Sequence, residues 1–101
     1  MDDKTLGELK AQHGEVHVLG GSGELVVVKP PTRAAWKRFK TWLSDDRRKA
    51  DAFEALLVDC IVFPSRDEVD KMLDRKPALA EAFGNKLFEL AGGGEVEARK
   101  A

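Results

Sequence analysis

The sequence predicts an α+β fold, mainly α, in which a short N-terminal β-hairpin precedes a bundle of about four helices. The hairpin is indicated by two β-branched segments on either side of the glycine-rich stretch Gly20–Gly23. The bundle is indicated by apolar residues that recur at helical spacing from about residue 33 to residue 91.

Length and composition favour a single domain. The chain has 101 residues, of which 43% are hydrophobic and 35% are charged, as in globular proteins with a heavily charged surface. We expect one domain over residues 1–91, with the hairpin at about 15–29 and the helices at about 33–91. Residues 92–101, which follow a run of three glycines, are expected to form a flexible tail.

A short helix over residues 5–14 is predicted before the hairpin. Thr5 can cap its N-terminus and Glu8 completes a capping box, whereas Gly14 can end it. Gly7 weakens this prediction, because glycine disfavours a helix interior.

The hairpin prediction rests on alternation and on its boundaries. Glu15–Leu19 alternates polar and apolar side chains, and Glu24–Lys29 is a second apolar, β-branched segment. Pro30 and Pro31 end the second strand, because proline donates no hydrogen bond to a sheet.

The first helix of the bundle follows Thr32, a favourable N-cap. Trp36, Phe39 and Leu43 recur at helical spacing and are expected to face the core. Ser44 is expected to start the next helix, with two aspartates in its first turn.

Two further boundaries are set by proline and serine. The apolar stripe that runs from Phe53 to Ile61 is expected to end at Pro64. Ser65 and Glu68 form a capping box for a third helix of the bundle, and Pro77 suits the first turn of a fourth. Gly84 lies inside that fourth helix, where it indicates a bend or a close packing contact.

No catalytic, metal or cofactor site is recognisable. Cys60 lies among apolar residues, which is typical of a buried thiol, and His13 and His17 have no further ligands near them in sequence. Gly20–Gly23 precedes a strand and lacks the lysine of a phosphate-binding loop. Most carboxylates fit helix caps or solvated faces, but Asp59 lies in an apolar run and is expected to point outward or to pair with a cation. We therefore expect no enzymatic activity, cofactor or metal.

Residues 29–49 are basic although the whole chain has a net charge of −1. Eight basic and two acidic residues give this segment a local charge of +6, and aromatic residues alternate with its cations. We expect a protein partner to bind here, through a set of candidate residues that comprises Trp42, Arg33, Lys37, Arg38 and Lys40. Trp42 is the candidate anchor, because helical spacing keeps it away from the centre of the predicted core face. The alternative is that Trp42 belongs to a second core face of the bundle.

Nucleic acid is a less favoured partner. Interleaved aromatic and basic side chains can bind a single strand by stacking and phosphate contact. However, the net charge of the whole chain offers no field that would attract a polyanion. A membrane partner is not expected, since the apolar runs are far shorter than the roughly 20 residues that a spanning helix needs.

The chain resembles a known family over roughly residues 6–91. Four segments carry this resemblance: Leu9–Val16, Val27–Phe39, Leu57–Arg66 and Lys76–Phe83. They combine a short strand region, a Pro-Thr-Arg entry to an aromatic and basic helix, and a Cys-Ile-Val-Phe-Pro-Ser helix break. In this pattern the chain resembles the small tail assembly chaperones and related tail-region proteins of tailed bacteriophages and prophages.

The resemblance implies a function without catalysis. Such chaperones bind the long tape-measure protein before the tail tube polymerises around it. We expect the protein to lie in the cytoplasm of the bacterial host, because its N-terminus lacks the basic start and apolar run of a signal peptide. Association with the virion and formation of a homo-oligomer are left open. The alternatives are a structural component of a phage tail or contractile injection particle and, further, a small nucleic-acid-binding regulator.

Overall fold

The structure is a computed structural model that describes residues 2–101. Its helices, in chain order α1 to α5, are Asp3–His13, Arg33–Leu43, Ala52–Cys60, Arg66–Arg75 and Leu79–Leu90. Its strands, in chain order β1 to β3, are His17–Gly21, Glu24–Val28 and Ile61–Phe63. The strands form one antiparallel sheet in the order β1-β2-β3, and a 3₁₀ turn at Lys49–Asp51 precedes α3.

The predicted class, α+β and mostly helical, is confirmed, but the hairpin is not the first element. Helix α1 precedes it and begins two residues earlier than predicted, because Asp2 caps it in place of Thr5. The Asp2 carboxylate accepts a hydrogen bond from the Thr5 backbone N–H at 2.7 Å. The α1 helix ends at Gly14 as predicted.

The β1–β2 hairpin is confirmed, with a two-residue turn. Ser22 and Gly23 have φ angles of 52° and 78°, which are the positive values of a type I′ turn. Glycine adopts such an angle without steric cost, so Gly23 suits this position. In register, Gly21 lies opposite Glu24 and His17 lies opposite Val28.

Strand β3 corrects the predicted end of the third helix. The sequence predicted a helix through Ile61 to Pro64, but α3 ends at Cys60 and the next three residues pair with β2. The β-branched Ile61 and Val62 favour an extended backbone, and pairing with the central strand satisfies its hydrogen bonds. The helical spacing of Ile61 was therefore misleading.

Ser44 does not start a helix, contrary to the prediction. It caps the C-terminus of α2, where its N–H donates to the Lys40 carbonyl oxygen at 3.1 Å. The Asp45 carbonyl oxygen accepts hydrogen bonds from the backbone N–H groups of Arg48 and Lys49. The Asp45 carboxylate accepts another from the backbone N–H of Arg47. These local bonds delay the helix until Ala52.

The core lies between the inner face of the sheet and the helices. Val26 and Val28 of β2 contribute from the sheet, and Phe39 is the buried residue of α2. Helices α3, α4 and α5 supply most of the remainder, namely Leu56, Leu57, Cys60, Val69, Met72, Leu73, Leu79, Phe83 and Leu87. Helix α2 therefore rests on the core by one face and exposes the other.

Gly84 allows close packing of α5 on α3, as the sequence indicated. A Cβ atom at this position would overlap the Phe53 side chain. The Phe53 ring in turn lies 5.1 Å, centroid to centroid, from the ring of Phe39. The absence of a side chain at Gly84 thus lets α5 pack against Phe53 of α3, which in turn contacts Phe39 of α2.

The chain ends beyond α5 without regular structure. The Gly93 N–H donates to the Phe88 carbonyl oxygen at 3.0 Å, which is the bond that closes a Schellman motif. Residues 95–101 form neither helix nor strand and are exposed, with Val96 at 88%.

Candidate protein-binding site

Helix α2 presents the basic segment at the surface. Thr32 caps the helix as predicted, since its hydroxyl oxygen accepts from the Ala35 N–H at 3.1 Å. Phe39 turns inward, and the half-buried Trp36 packs between Phe39 and Phe88, with ring centroids 5.1 and 5.7 Å away. The opposite side of α2 faces solvent.

Three of the candidate cations form what we call the cationic stripe: Arg33, Lys37 and Lys40. Their spacing of four and three residues places them along one side of the helix. All three are exposed, and no ion pair within residues 2–101 involves them. The stripe therefore carries three positive charges that the described part of the chain leaves unneutralised.

The other two candidates, Arg38 and Trp42, lie on a different side of α2. The guanidinium carbons of Arg38 and Arg48 each lie 5.4 Å from the centroid of the Trp42 ring, within cation–π range. Arg38 also donates to the Asp59 carboxylate at 2.9 Å. We call these four residues the Trp42 cluster. Asp59, which stood out in the sequence, thus pairs with a basic side chain.

The structure separates the predicted set into two neighbouring parts. Helical spacing puts Arg38 and Trp42 one turn apart on one side and the cationic stripe on the other. Trp42 is half-buried and packs against the rim of the core, with two guanidinium groups against its ring. A partner would therefore meet the stripe as free charge and Trp42 as a partly covered apolar surface.

An acidic groove that the sequence did not reveal lies among α3, α4 and α5. It has a volume of about 480 Å³, and Phe53 and Leu73 contribute apolar surface to it. Five carboxylates line it: Asp51, Glu54, Asp70, Asp74 and Glu81. Asp70 and Asp74 are four residues apart in α4, and Asp51 and Glu54 are three residues apart at the start of α3, so the spacing alone indicates that each pair shares one side of a helix. The convergence of the three helices depends on contacts between residues that are distant in sequence.

The residues weighed for chemistry lie apart. Burial raises the pKa of the Cys60 thiol to about 11, with the nearby Asp59 adding to the effect. His17 pairs with Glu15 at 2.6 Å, whereas His13 lies in the last turn of α1. Within residues 2–101 no three His, Cys, Asp or Glu side chains form a group that could hold a metal ion.

Comparisons with known proteins assign a family and a fold. Residues 9–100 match the family described as Domain of unknown function (DUF6848). The chain belongs to this family. A solved structure, that of the uncharacterised protein rbstp2171 from Bacillus stearothermophilus, is similar in fold, with a TM-score of 0.79 and 23% sequence identity. The alignment covers 94% of this chain and 99% of that one.

Two further results concern curated proteins and the helices of the chain. No curated protein matches the chain. In the described part of the molecule, residues 2–101, no helix has the length and apolar character needed to cross a membrane.

Proposed function

We propose that the protein is a non-enzymatic protein-binding module that uses the surface of α2. The observation that supports this most strongly is the cationic stripe, whose three exposed cations have no carboxylate partner within residues 2–101. Unpaired surface charges of one sign accelerate encounter with a partner of the opposite sign and fix its orientation. The partner face is therefore acidic.

The Trp42 cluster supplies apolar surface on the other side of α2 from the cationic stripe. Arginine and tryptophan are enriched among residues that dominate binding energy at interfaces. The contact with Asp59 helps to hold the Arg38 guanidinium in place, which lowers the entropy cost of ordering this side chain on binding. An acidic partner that extends around the solvent-facing side of α2 suits these residues, because its carboxylates can meet the stripe while its apolar side chains meet Trp42.

The specific form of the proposal is a tail assembly chaperone of a bacteriophage or prophage, with the tape-measure protein as partner. Support for this form comes from the resemblance in residues 6–91, and the exposed stripe provides a surface of the kind that such a chaperone needs. The client would be held reversibly, since exposed charge pairs contribute modestly and are screened by salt.

A protein partner is favoured over nucleic acid by the charge of the rest of the molecule. Outside residues 29–49 the chain has a net charge of −7, and five carboxylates line the groove among α3, α4 and α5. A phosphate backbone that extends past α2 would meet this negative potential.

The test is co-expression with the tape-measure protein that this proposal requires in the same gene cluster, followed by size-exclusion chromatography of the soluble fraction. We expect the long protein to become soluble and to elute with the chain. The variant Arg33→Glu/Lys37→Glu should lose this effect. Both side chains are exposed, and a glutamate at position 33 would lie in the first turn of α2, where negative charge is favourable, so the variant should remain folded.

A matched control reverses the same number of charges elsewhere. Arg99→Glu/Lys100→Glu lies in the exposed segment after α5, which has no regular structure, and should solubilise the long protein as the wild type does. Precipitation of the long protein in the presence of the wild type would overturn the chaperone proposal. If Arg33→Glu/Lys37→Glu solubilised the long protein as well as the wild type does, the cationic stripe would not be part of the binding surface.

A further inference from the structure

Strand β1 is an edge strand with free backbone groups. In a hairpin with a two-residue turn, the residues that flank the turn, Gly21 and Glu24, form a hydrogen-bonded pair, and the pattern then alternates. Leu19 and His17 therefore bond to β2, whereas the N–H and C=O groups of Val18 and Gly20 point away from the sheet. No hydrogen bond within residues 2–101 reaches these outward groups.

Space for another strand lies next to this edge. A groove of about 410 Å³ adjoins β1, and α5 forms its opposite wall with Leu79, Ala82, Phe83 and Lys86. The Lys86 ammonium group pairs with Glu89 at 3.1 Å, so its charge is balanced within α5. At the turn, the Lys76 ammonium group donates to the Ser22 carbonyl oxygen, so the free part of the edge is confined to β1. The groove is thus open along the residues whose backbone lacks partners.

The edge lacks the features that usually prevent strand pairing. Soluble proteins protect edge strands with lysine, proline or inward-pointing charge. The segment Val18–Gly21 contains none of these, and two of its four residues are glycines. Val18 is also 45% exposed, although it is a β-branched apolar residue.

The sequence of β1 is complementary to itself in one antiparallel register. If two copies pair around a twofold axis at Leu19, Val18 of each copy lies opposite Gly20 of the other. These are the residues with outward groups, so each of the two pairs gains two hydrogen bonds. The bulky Val18 meets a residue without a side chain, and the two Leu19 side chains adjoin on the inner face, beside the grooves. No formal charge in Val18–Gly21 opposes this arrangement.

We propose that β1 binds β1 of a second copy of this chain, giving a symmetric dimer with a continuous six-stranded sheet. This surface is separate from the cationic stripe, so the proposal does not depend on the proposed function. The five residues of β1 extend over roughly 17 Å, and the helix layer lies about 10 Å from the sheet. A contact of this size buries less than the roughly 800 Å² per partner that stable interfaces bury. The dimer is therefore weak and exchanges with monomer.

Sedimentation velocity of the full chain over a wide concentration range tests this proposal. We expect a monomer–dimer equilibrium with a dissociation constant on the order of 10 to 500 µM. Gly20→Pro removes an outward donor without removing a bond to β2, and should raise that constant at least about tenfold. Gly20→Ala retains the donor, and within the chain its Cβ would meet only the Glu24 carbonyl oxygen at 3.8 Å, so it should dimerise far more tightly than Gly20→Pro.

Amide hydrogen exchange keeps the test decisive if Gly20→Pro proves misfolded. In the wild type, exchange of the Val18 and Gly20 amides should slow as concentration rises, while the Leu19 amide, already bonded to β2, should change little. A monomer at every concentration would overturn the proposal. So would a dimer in which Gly20→Pro and Gly20→Ala associate equally and the Val18 and Gly20 amides gain no protection.

Discussion

Cys60 lies at the C-terminal end of α3 with 2% of its surface exposed, and its burial raises the pKa of the thiol to about 11. Because the thiolate is the reactive form, a rise of about two pKa units lowers its population about 100-fold near neutral pH. We expect the native protein at pH 8 to react with an aromatic disulfide reagent at least ~100-fold more slowly than the unfolded chain. Rapid reaction of the native protein would contradict the burial of Cys60.

The same thiol predicts how stability changes at alkaline pH. The folded-state pKa is about 11 and the ordinary value is 9.0, so the unfolded chain releases this proton first. The contribution of Cys60 to stability is therefore complete below pH 9 and is lost as pH rises toward 11. In urea unfolding between pH 8 and 11, Cys60→Ala should show a smaller decline in the free energy of unfolding than the wild type. Parallel declines would contradict the assignment.

Two helical glycines offer a matched comparison at the residue scale. Gly84→Ala places a methyl group where the Phe53 side chain lies, and we expect it to lower the free energy of unfolding by about 1–3 kcal/mol. Gly7→Ala meets no atom within 4 Å and should raise it by about 0.5–1 kcal/mol through helix propensity. Urea denaturation measures both, and equal effects would show that Gly84 is not tightly packed.

At the scale of elements, one ion pair joins the hairpin to the helical layer. Arg75 of α4 donates to the Glu24 carboxylate of β2 at 2.5 Å, and the Glu24 side chain is only 15% exposed. The hydrogen bond from Arg75 lowers the pKa of Glu24 below its ordinary value of 4.5. The pair therefore stabilises the fold above pH 4.5, and this stabilisation is lost as falling pH protonates the carboxylate.

Replacement of Arg75 tests this connection. Arg75→Gln should lower the free energy of unfolding at pH 7 and reduce its decline between pH 5 and pH 3, as measured by urea denaturation. Arg66→Gln is the control, because Arg66 pairs with Asp70 on the exposed side of α4 at 3.2 Å, where such pairs contribute little. If the two variants behave alike, the Glu24 contact does not hold the hairpin to α4.

Local sequence signals account for most of the elements. The N-caps at Thr32 and Ser65 and the turn before Glu24 all act within four residues, and each was predicted correctly. Strand β3 was missed because its three residues are extended through pairing with β2, more than thirty residues earlier in the chain. The start of α1 was displaced because Asp2 and Thr5 are both adequate caps.

In the candidate site, as in the fold, the sequence predicted the local features but not those that depend on distant residues. The cations of α2 were identified from composition and spacing alone. Their division into a stripe and the Trp42 cluster depends on Arg48 and Asp59, which approach α2 from elsewhere in the chain. The acidic groove requires three helices to converge, which no local pattern encodes.

At the scale of the whole molecule, charge is segregated although the net charge is only −1. The basic residues of 29–49 are concentrated on and next to α2, and five carboxylates gather in the groove among α3, α4 and α5. Such a charge distribution orients the molecule as it approaches a partner, even though it contributes little long-range attraction. The effect should weaken as salt shortens the screening length below about 10 Å.

Calorimetric titration of a soluble segment of the tape-measure protein with purified chain measures whether the cationic stripe binds this partner. We expect Arg33→Glu/Lys37→Glu to weaken binding at least about tenfold and Arg99→Glu/Lys100→Glu to leave it unchanged, and we expect added salt to weaken wild-type binding. The claim would be contradicted if the wild type did not bind the segment, or if both double variants bound it as tightly as the wild type.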